Sequence, residues 1–412
     1  MRYRYALGPG GKLIKTAVVY TGNEHSIDPG KIDADARHII TVLRQHGFEA
    51  FLVGGAVRDL LLDKTPKDFD IVTDAPPPKI KRLFRNSRVI GKRFRLVHIF
   101  FGEKIFEVST FRSLEDGTTG NTFGTIDDDV KRRDFTLNAL YYDPIQEQVI
   151  DYVGGITDIA KRRIMPVIPL ETIFTDDPVR MVRAIKYAAM TGFSMPPPLV
   201  RKIKKHAHLL KEISPSRITE ELIKIINSGF AREIAETALK LKVYLYLQPA
   251  ACSFILDDKE FKKAYFKSLS DMDSLTRACS AAPAQENPPL RFGEKLSYIL
   301  FDFARRLTDW EQEIRKQTPW GELFTVVWAH CRNFILPMNP QRTELDYAVR
   351  HCIKRMGVKS KPSGGRRPVR YSSNSMSEES SSISTASSSS SSSNSSSPKS
   401  SLKSAKLPVS ST

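Results

Sequence analysis

A glycine pair and a pair of acids, set within one largely apolar stretch, constrain this chain more than any other feature. The stretch reads FLVGGAVRDLLLDKTPKDFDIVTDA, from Phe51 to Ala75. "FEAFLVGG" predicts a strand entering a glycine turn, "AVRDLLL" a short helix, and "KDFDIVTDA" a second strand. Without side chains, Gly54 and Gly55 let backbone N–H groups at a helix start approach phosphate oxygens. Arg58, on the first helical turn, adds a charge-assisted donor. A Gly-Gly pair alone more often marks a plain turn, and a strand-end Asp-x-Asp is more often solvated. Together they point elsewhere. At i and i+2 of a strand, Asp68 and Asp70 share a face, and two carboxylates there repel unless a cation lies between them. Hard oxygen ligands select Mg²⁺ or Mn²⁺. Such a site beside a phosphate cradle suits two-metal phosphoryl transfer.

Two further acids are candidates for a third metal ligand. Asp134 stands in "KRRDFTLNALYY" beside Arg132 and Arg133, and Glu107 in "IFEVSTFR" on a neighbouring strand. The plainer alternatives are a helix N-cap for Asp134 and an exposed strand position for Glu107. In "TDDPVRMVRAIKYAA", Asp177, Arg180, Arg183 and Lys186 recur every three residues, a slowly drifting stripe on one helix face. It is either a solvated charged face or a base-reading edge, in which Asp accepts from an adenine amino group and Arg donates to a ring nitrogen.

The rest of the chain sets these motifs in an α+β plan. Residues 1–30 read as irregular. "DPGKIDADARHIITVLRQHG" predicts an amphipathic helix closed by Gly47, and strands and short helices alternate from Phe48 to Gly155, giving a small α/β head over 31–160. "RSLEDGTTGNTFG" reads as a mobile loop. After Asp176 the apolar spacing turns helical, giving a helical neck over 161–230 and a helical body over 231–360. From 361 to 412 a basic run, "SGGRRPVRY", leads into serine-rich low complexity, which is expected to be disordered because it lacks the apolar area to offset its ordering entropy. A length of 412 residues suits two or three domains, and 41% hydrophobic with 26% charged residues suits a globular chain. The net charge of +17 favours a polyanion partner, nucleic acid above all, over a merely solvated basic face. Cys252, Cys279, Cys331 and Cys352 form no CxxC, which argues against a disulfide framework or zinc site and suits a reducing cytosol. The first twenty residues lack the long apolar core of a signal peptide or membrane span.

Five segments, in order, resemble the class II nucleotidyltransferases, the family of bacterial poly(A) polymerases and CCA-adding enzymes. They are "LVGGAVRDLLL", "PKDFDIVTDA", "RRDFTLNALYY", "DYVGGITD" and "DDPVRMVRAIKYAA". The resemblance covers roughly Ile32 to Ala250 and extends more loosely to Met356. "VIGKRFRLVHIFF" and the closing basic run are similar to the poly(A) polymerase branch. The resemblance implies a nucleotidyltransferase head, with Asp68, Asp70 and Asp134 as catalytic acids holding Mg²⁺ or Mn²⁺, and Glu107 as a further candidate ligand. It implies that Gly54, Gly55 and Arg58 bind the ATP triphosphate and that Arg133 contacts ribose or phosphate. Asp177 and Arg180 would read adenine, with Arg183 and Lys186 packing or neutralising nearby, and Gly154 and Gly155 would lie in a flexible head–neck segment. The implied activity is template-independent addition of AMP from ATP to RNA 3′ ends, with CCA addition to tRNA as the alternative and a catalytically dead RNA-binding protein as the rival from another class. The implied partners are ATP and RNA held mostly by its backbone, with proteins of RNA decay as candidate associates of a cytoplasmic monomer without membrane contact. Asp176 stands where the family usually has Glu, and Lys186 where it usually has Arg, which bears on nucleotide selection because Lys cannot form a bidentate fork. The serine-rich tail has no counterpart in the family pattern.

Overall fold

The computed structural model describes residues 2–7, 12–91, 96–113, 122–281 and 289–358. Residues 2–20, expected to be irregular, form two strands instead. β1 (Arg2–Leu7) and β2 (Leu13–Tyr20) pair antiparallel, and β2 pairs in turn with residues 149–151. Ala17 and Val19 of β2 are buried against the sheet, whereas β1 is largely exposed. The strand character of this segment comes from pairing with chain more than a hundred residues away, not from its own pattern.

α1 (Ala34–Gln45) follows where the apolar spacing places it. Ala36, Ile39, Ile40 and Leu43 form its buried face, and the Asp33 carboxylate caps it by accepting from the Asp35 N–H. The chain enters β3 (Ala50–Val53), turns at Gly54 with φ +73°, and starts α2 (Gly55–Leu61). With ψ −130°, that backbone is open to glycine alone. β4 (Asp70–Thr73) is shorter than its alternation predicts. Val53 pairs with Asp70, and β3 then turns away at Gly54, so Asp68 has no antiparallel partner and precedes the strand.

The head is completed by α3 (Pro77–Leu83), β5 (Ser87–Ile90), β6 (Leu96–Phe101), β7 (Lys104–Thr110), α4 (Ile126–Lys131), β8 (Leu140–Asp143) and β9 (Gln148–Asp151). The strands form one sheet in the order β1-β2-β9-β8-β3-β4-β7-β6-β5, in which β4 and β7 run parallel. Alternation sorts its two faces. Leu52, Ile71 and Val108 join the core under α1, α2 and α3. Phe51, Val53, Val72 and Tyr141 join the opposite one with Ile126 and Val130 of α4. Asp70, two residues before Val72, lies on this second face.

In the Asp151–Asp158 segment, expected to be flexible, Asp151 organises the backbone of Gly154 and Gly155. The Asp151 carboxylate accepts from the N–H groups of Val153, Gly154, Gly155 and Ile156, which fixes the start of α5 (Gly155–Ala160). A Cβ on Gly155 would lie 2.5 Å from the Thr136 carbonyl oxygen, so only glycine packs there.

Beyond α5 the chain is helical: α6 (Ile173–Asp176), α7 (Val179–Thr191), α8 (Pro197–His206), α9 (Pro215–Ile226), α10 (Ala231–Lys240), α11 (Tyr244–Leu247), α12 (Pro249–Asp257), α13 (Lys259–Ala281), α14 (Phe292–Ala304), α15 (Trp310–Arg315), α16 (Trp320–Phe334) and α17 (Arg342–Arg355). One continuous core runs through them from Ile164 to Ile353. The neck–body division at residue 230 is therefore a division of the sequence, not of the packing. A mixed-sheet head with helices after it is the α+β class expected. The serine-rich tail, most of the glycine-rich loop and part of "VIGKRFRLVHIFF" lie outside the described residues.

Candidate active site

A cleft of about 840 Å³ opens between the second face of the sheet and helices α6, α7 and α9. Its floor is the first residue of β4. A Cβ on Gly54 would stand 3.8 Å from Asp70 Oδ2, so the glycine turn lies directly against that carboxylate. The parallel register of β4 and β7 pairs Ile71 with Val108, which sets Glu107 beside Asp70. Water still reaches Asp70 from the open side of the cleft, while protein on the other sides displaces bulk solvent. That burial, with Glu107 next and Asp68 adding to it, pushes the Asp70 carboxyl up to about 6 against the pull of Arg133. Asp68 is exposed and does not line the cleft wall. Glu107 lies 3.4 Å from His98 across the β6–β7 ladder.

Asp134 lines the same cleft, turned toward the helices. Its Oδ1 accepts from the Phe135 N–H, and its Oδ2 lies 3.0 Å from Arg183, an ion pair without hydrogen-bond geometry that leaves this buried oxygen otherwise unpartnered. Burial works against the Arg183 charge, but Asp134, Tyr187 and Glu221 together outweigh it, so the guanidinium stays protonated. In this register the acid beside Asp70 is Glu107, while Asp134, in the same cleft, pairs with Arg183.

The expected nucleotide-binding cations are present but largely engaged. Arg58 is buried, donating from Nε to Asp59 and from Nη1 to Asn138, with Nη2 2.8 Å from Asp59 as an ion pair. Arg133 donates to Tyr141 and to Asp129, the latter at 2.7 Å. Lys186 donates to Glu221 at 2.6 Å, and Lys186, Lys224 and Arg183 together hold Glu221 below the usual carboxylate range despite its burial. Arg180 is buried, donates to the Ile173 carbonyl and lies 3.9 Å from Asp176.

Asp177 has a partner that sequence reasoning missed. One oxygen accepts from the Val179 N–H and the other from Arg217 at 2.8 Å. Arg217, Glu221 and Lys224 follow at i, i+4 and i+7 of α9, a one-face spacing readable in "SRITEELIK"; that this face forms a cleft wall is tertiary information. Asp129, likewise missed, stands four residues before Arg133.

The donor set suits a divalent cation. Asp70, Glu107 and Asp68 are hard oxygen donors in mutual repulsion, and the raised proton affinity of Asp70 is an unmet demand for positive charge. Among the described residues no three acids, histidines or cysteines converge into a complete cage. A cation held here would draw other ligands from substrate phosphates, as Mg²⁺ commonly does.

A glycine turn over a carboxylate on a mixed sheet faces a helical wall of cations across one cleft. Residues 50–165 match the family model described as "Poly A polymerase head domain". Residues 192–255 match the model described as "Probable RNA and SrmB-binding site of polymerase A". The chain belongs to the family of bacterial poly(A) polymerases and their CCA-adding relatives. It is 35% identical over 302 residues to poly(A) polymerase I of Salmonella typhimurium LT2, covering 69% of this chain and 64% of that protein. It is 32% identical over 220 residues to the CCA-adding enzyme of Bacillus subtilis, covering 52% of this chain and 55% of that protein. The structure resembles the CCA-adding enzyme of Bacillus stearothermophilus in complex with CTP, with a TM-score of 0.50, 26% identity and coverage of 79% and 83%. The chain thus spans under two thirds of the length of the poly(A) polymerase it matches. Among the described residues, no helix is long and apolar enough to cross a membrane.

Proposed function

We propose that this protein adds AMP from ATP to RNA 3′ ends without a template and releases pyrophosphate. The observation that carries the reading is the single cleft in which Asp70 and Glu107 stand against the Gly54–Gly55 turn while Asp177, Arg180 and Arg217 line the far end. In this reading the Gly54–Gly55 turn receives the triphosphate. Asp70 and Glu107, with Asp68 at the cleft's edge, would hold a divalent cation, which when bound would neutralise charge at the transferred phosphoryl group. Arg58 and Arg133 keep the turn and the sheet end in place through Asn138 and add positive field. Asp134 orients Arg183 toward the nucleotide. Asp177 accepts from the adenine amino group, and Arg180 faces the ring nitrogen. The RNA 3′-hydroxyl attacks the α-phosphorus, and the pyrophosphate leaves along the glycine turn.

Polyadenylation is favoured over CCA addition by the longer match to relatives named poly(A) polymerase I, 302 residues against 220. A cytoplasmic location belongs to the same reading. The test is incubation of purified protein with labelled RNA and each nucleotide separately. Long tails with ATP alone support the reading. Two C's and one A on truncated tRNA would assign CCA addition, and no extension at all would leave a nucleic-acid binder.

A further inference from the structure

We propose that Lys224 is a phosphate-binding residue of this cleft, grasping from the helical side a group that the glycine turn meets from the sheet side. The inference rests on reading the cleft as a nucleotide site and adds to it a residue of α9. Lys224 lines the cleft together with Gly54, Asp70 and Arg217. Of the three charged residues on this face of α9, two are committed. Arg217 holds Asp177 at 2.8 Å, and Glu221 holds Lys186 at 2.6 Å. Lys224 stands 3.8 Å from the other Glu221 oxygen, and its side chain is 61% exposed.

Position along the helix gives the second argument. From Arg217 to Lys224 α9 rises about 10 Å, seven residues at roughly 1.5 Å each. One end meets the proposed base-reading acid, and the other shares the cleft with Asp70 at its floor. A nucleoside monophosphate laid along this wall would set its base at Asp177 and its phosphate near Lys224. An ammonium on a flexible stem offers three donors and no acceptor, which suits phosphate oxygens whose position shifts as a bond breaks. Arg58 and Arg133 are less free to do this, being held by Asp59 and Asn138 and by Asp129 and Tyr141.

The phosphate belongs either to the incoming nucleotide or to the backbone at the RNA 3′ end, and one experiment separates them. Wild type, Lys224→Ala and Lys224→Arg are titrated calorimetrically with inorganic pyrophosphate, ATP and a short oligoadenylate, with adenosine as a competitor lacking phosphate. Lys224→Ala should weaken pyrophosphate and ATP about tenfold to a hundredfold, the scale of one charge-assisted contact, with adenosine unchanged and most affinity restored in Lys224→Arg. Weakened oligoadenylate with unchanged pyrophosphate supports phosphate binding and assigns it to RNA. Unchanged binding of all the ligands overturns the proposal, as does an equal loss for adenosine, which would mean that Lys224 only shapes the pocket. Because binding is read without turnover, a wild type that fails to extend RNA sinks the functional reading and leaves this result interpretable.

Discussion

Asp177 shows how one side chain can answer to two demands. Its carboxylate is fixed by Arg217 and by the Val179 N–H, so it faces the cleft pre-set rather than searching for a partner. In the proposed reading it accepts from adenine, and Asp177→Ala leaves that amino group unpaired and frees Arg217. The expected outcome is a loss of about 1–3 kcal/mol of discrimination, the scale of one base-edge contact, seen as converging kcat/KM values for ATP, GTP, CTP and UTP. Pyrophosphate inhibition should persist, since the glycine turn is untouched. Unchanged ratios would show that adenine is selected elsewhere.

Between elements, the strongest tie in the site is Lys186 to Glu221, joining α7 to α9. Both side chains are buried, so removing one strands the other. Glu221→Ala should destabilise the fold by about 3–5 kcal/mol, measured by urea unfolding. The pH dependence has a definite sign. Lys186 lowers the folded-state value of Glu221, so the unfolded chain takes up the proton first. The stabilisation is complete above the ordinary Glu value of about 4.3 and is lost as the pH falls through the lower folded value. The stability gap between wild type and Glu221→Gln should therefore close in acid. A second element test is Gly155→Ala. Its Cβ would press on the Thr136 carbonyl and Leu140, at a cost of about 1–3 kcal/mol, visible as a lowered melting temperature. A melting temperature equal to wild type would mean that the start of α5 yields freely.

Elements with local causes were legible in the sequence. α1 announces itself by Asp33, its apolar spacing and Gly47, and the β3–Gly54–α2 turn by its glycines and the apolar run. What stayed hidden depends on distant chain. β1 and β2 exist because β2 finds β9, and Asp68 falls outside β4 because β3 ends at Val53. Arg217, Glu221 and Lys224 look like any charged helix stripe until α9 is seen as a cleft wall. The resemblance put Asp134 ahead of Glu107 as the third acid, and only the β4–β7 register puts Glu107 beside Asp70.

At the scale of the molecule, the proposed chemistry is concentrated in the first part of the chain. Every described residue lining the cleft falls between Val53 and Lys224. Truncation after Tyr371 should accordingly leave the single-turnover rate at saturating RNA unchanged. A large loss would mean that the serine-rich segment reaches the cleft. The central claim is that Asp70, against the glycine turn, is where nucleotide transfer occurs. The most direct measurement is single-turnover incorporation of labelled AMP into a short RNA by wild type and Asp70→Asn, with circular dichroism to establish that both are folded. The account predicts extension by wild type, and a folded Asp70→Asn slower by about 10²–10³-fold or more, the scale of losing a group that acts on developing charge. A folded Asp70→Asn that extends RNA at the wild-type rate would contradict it.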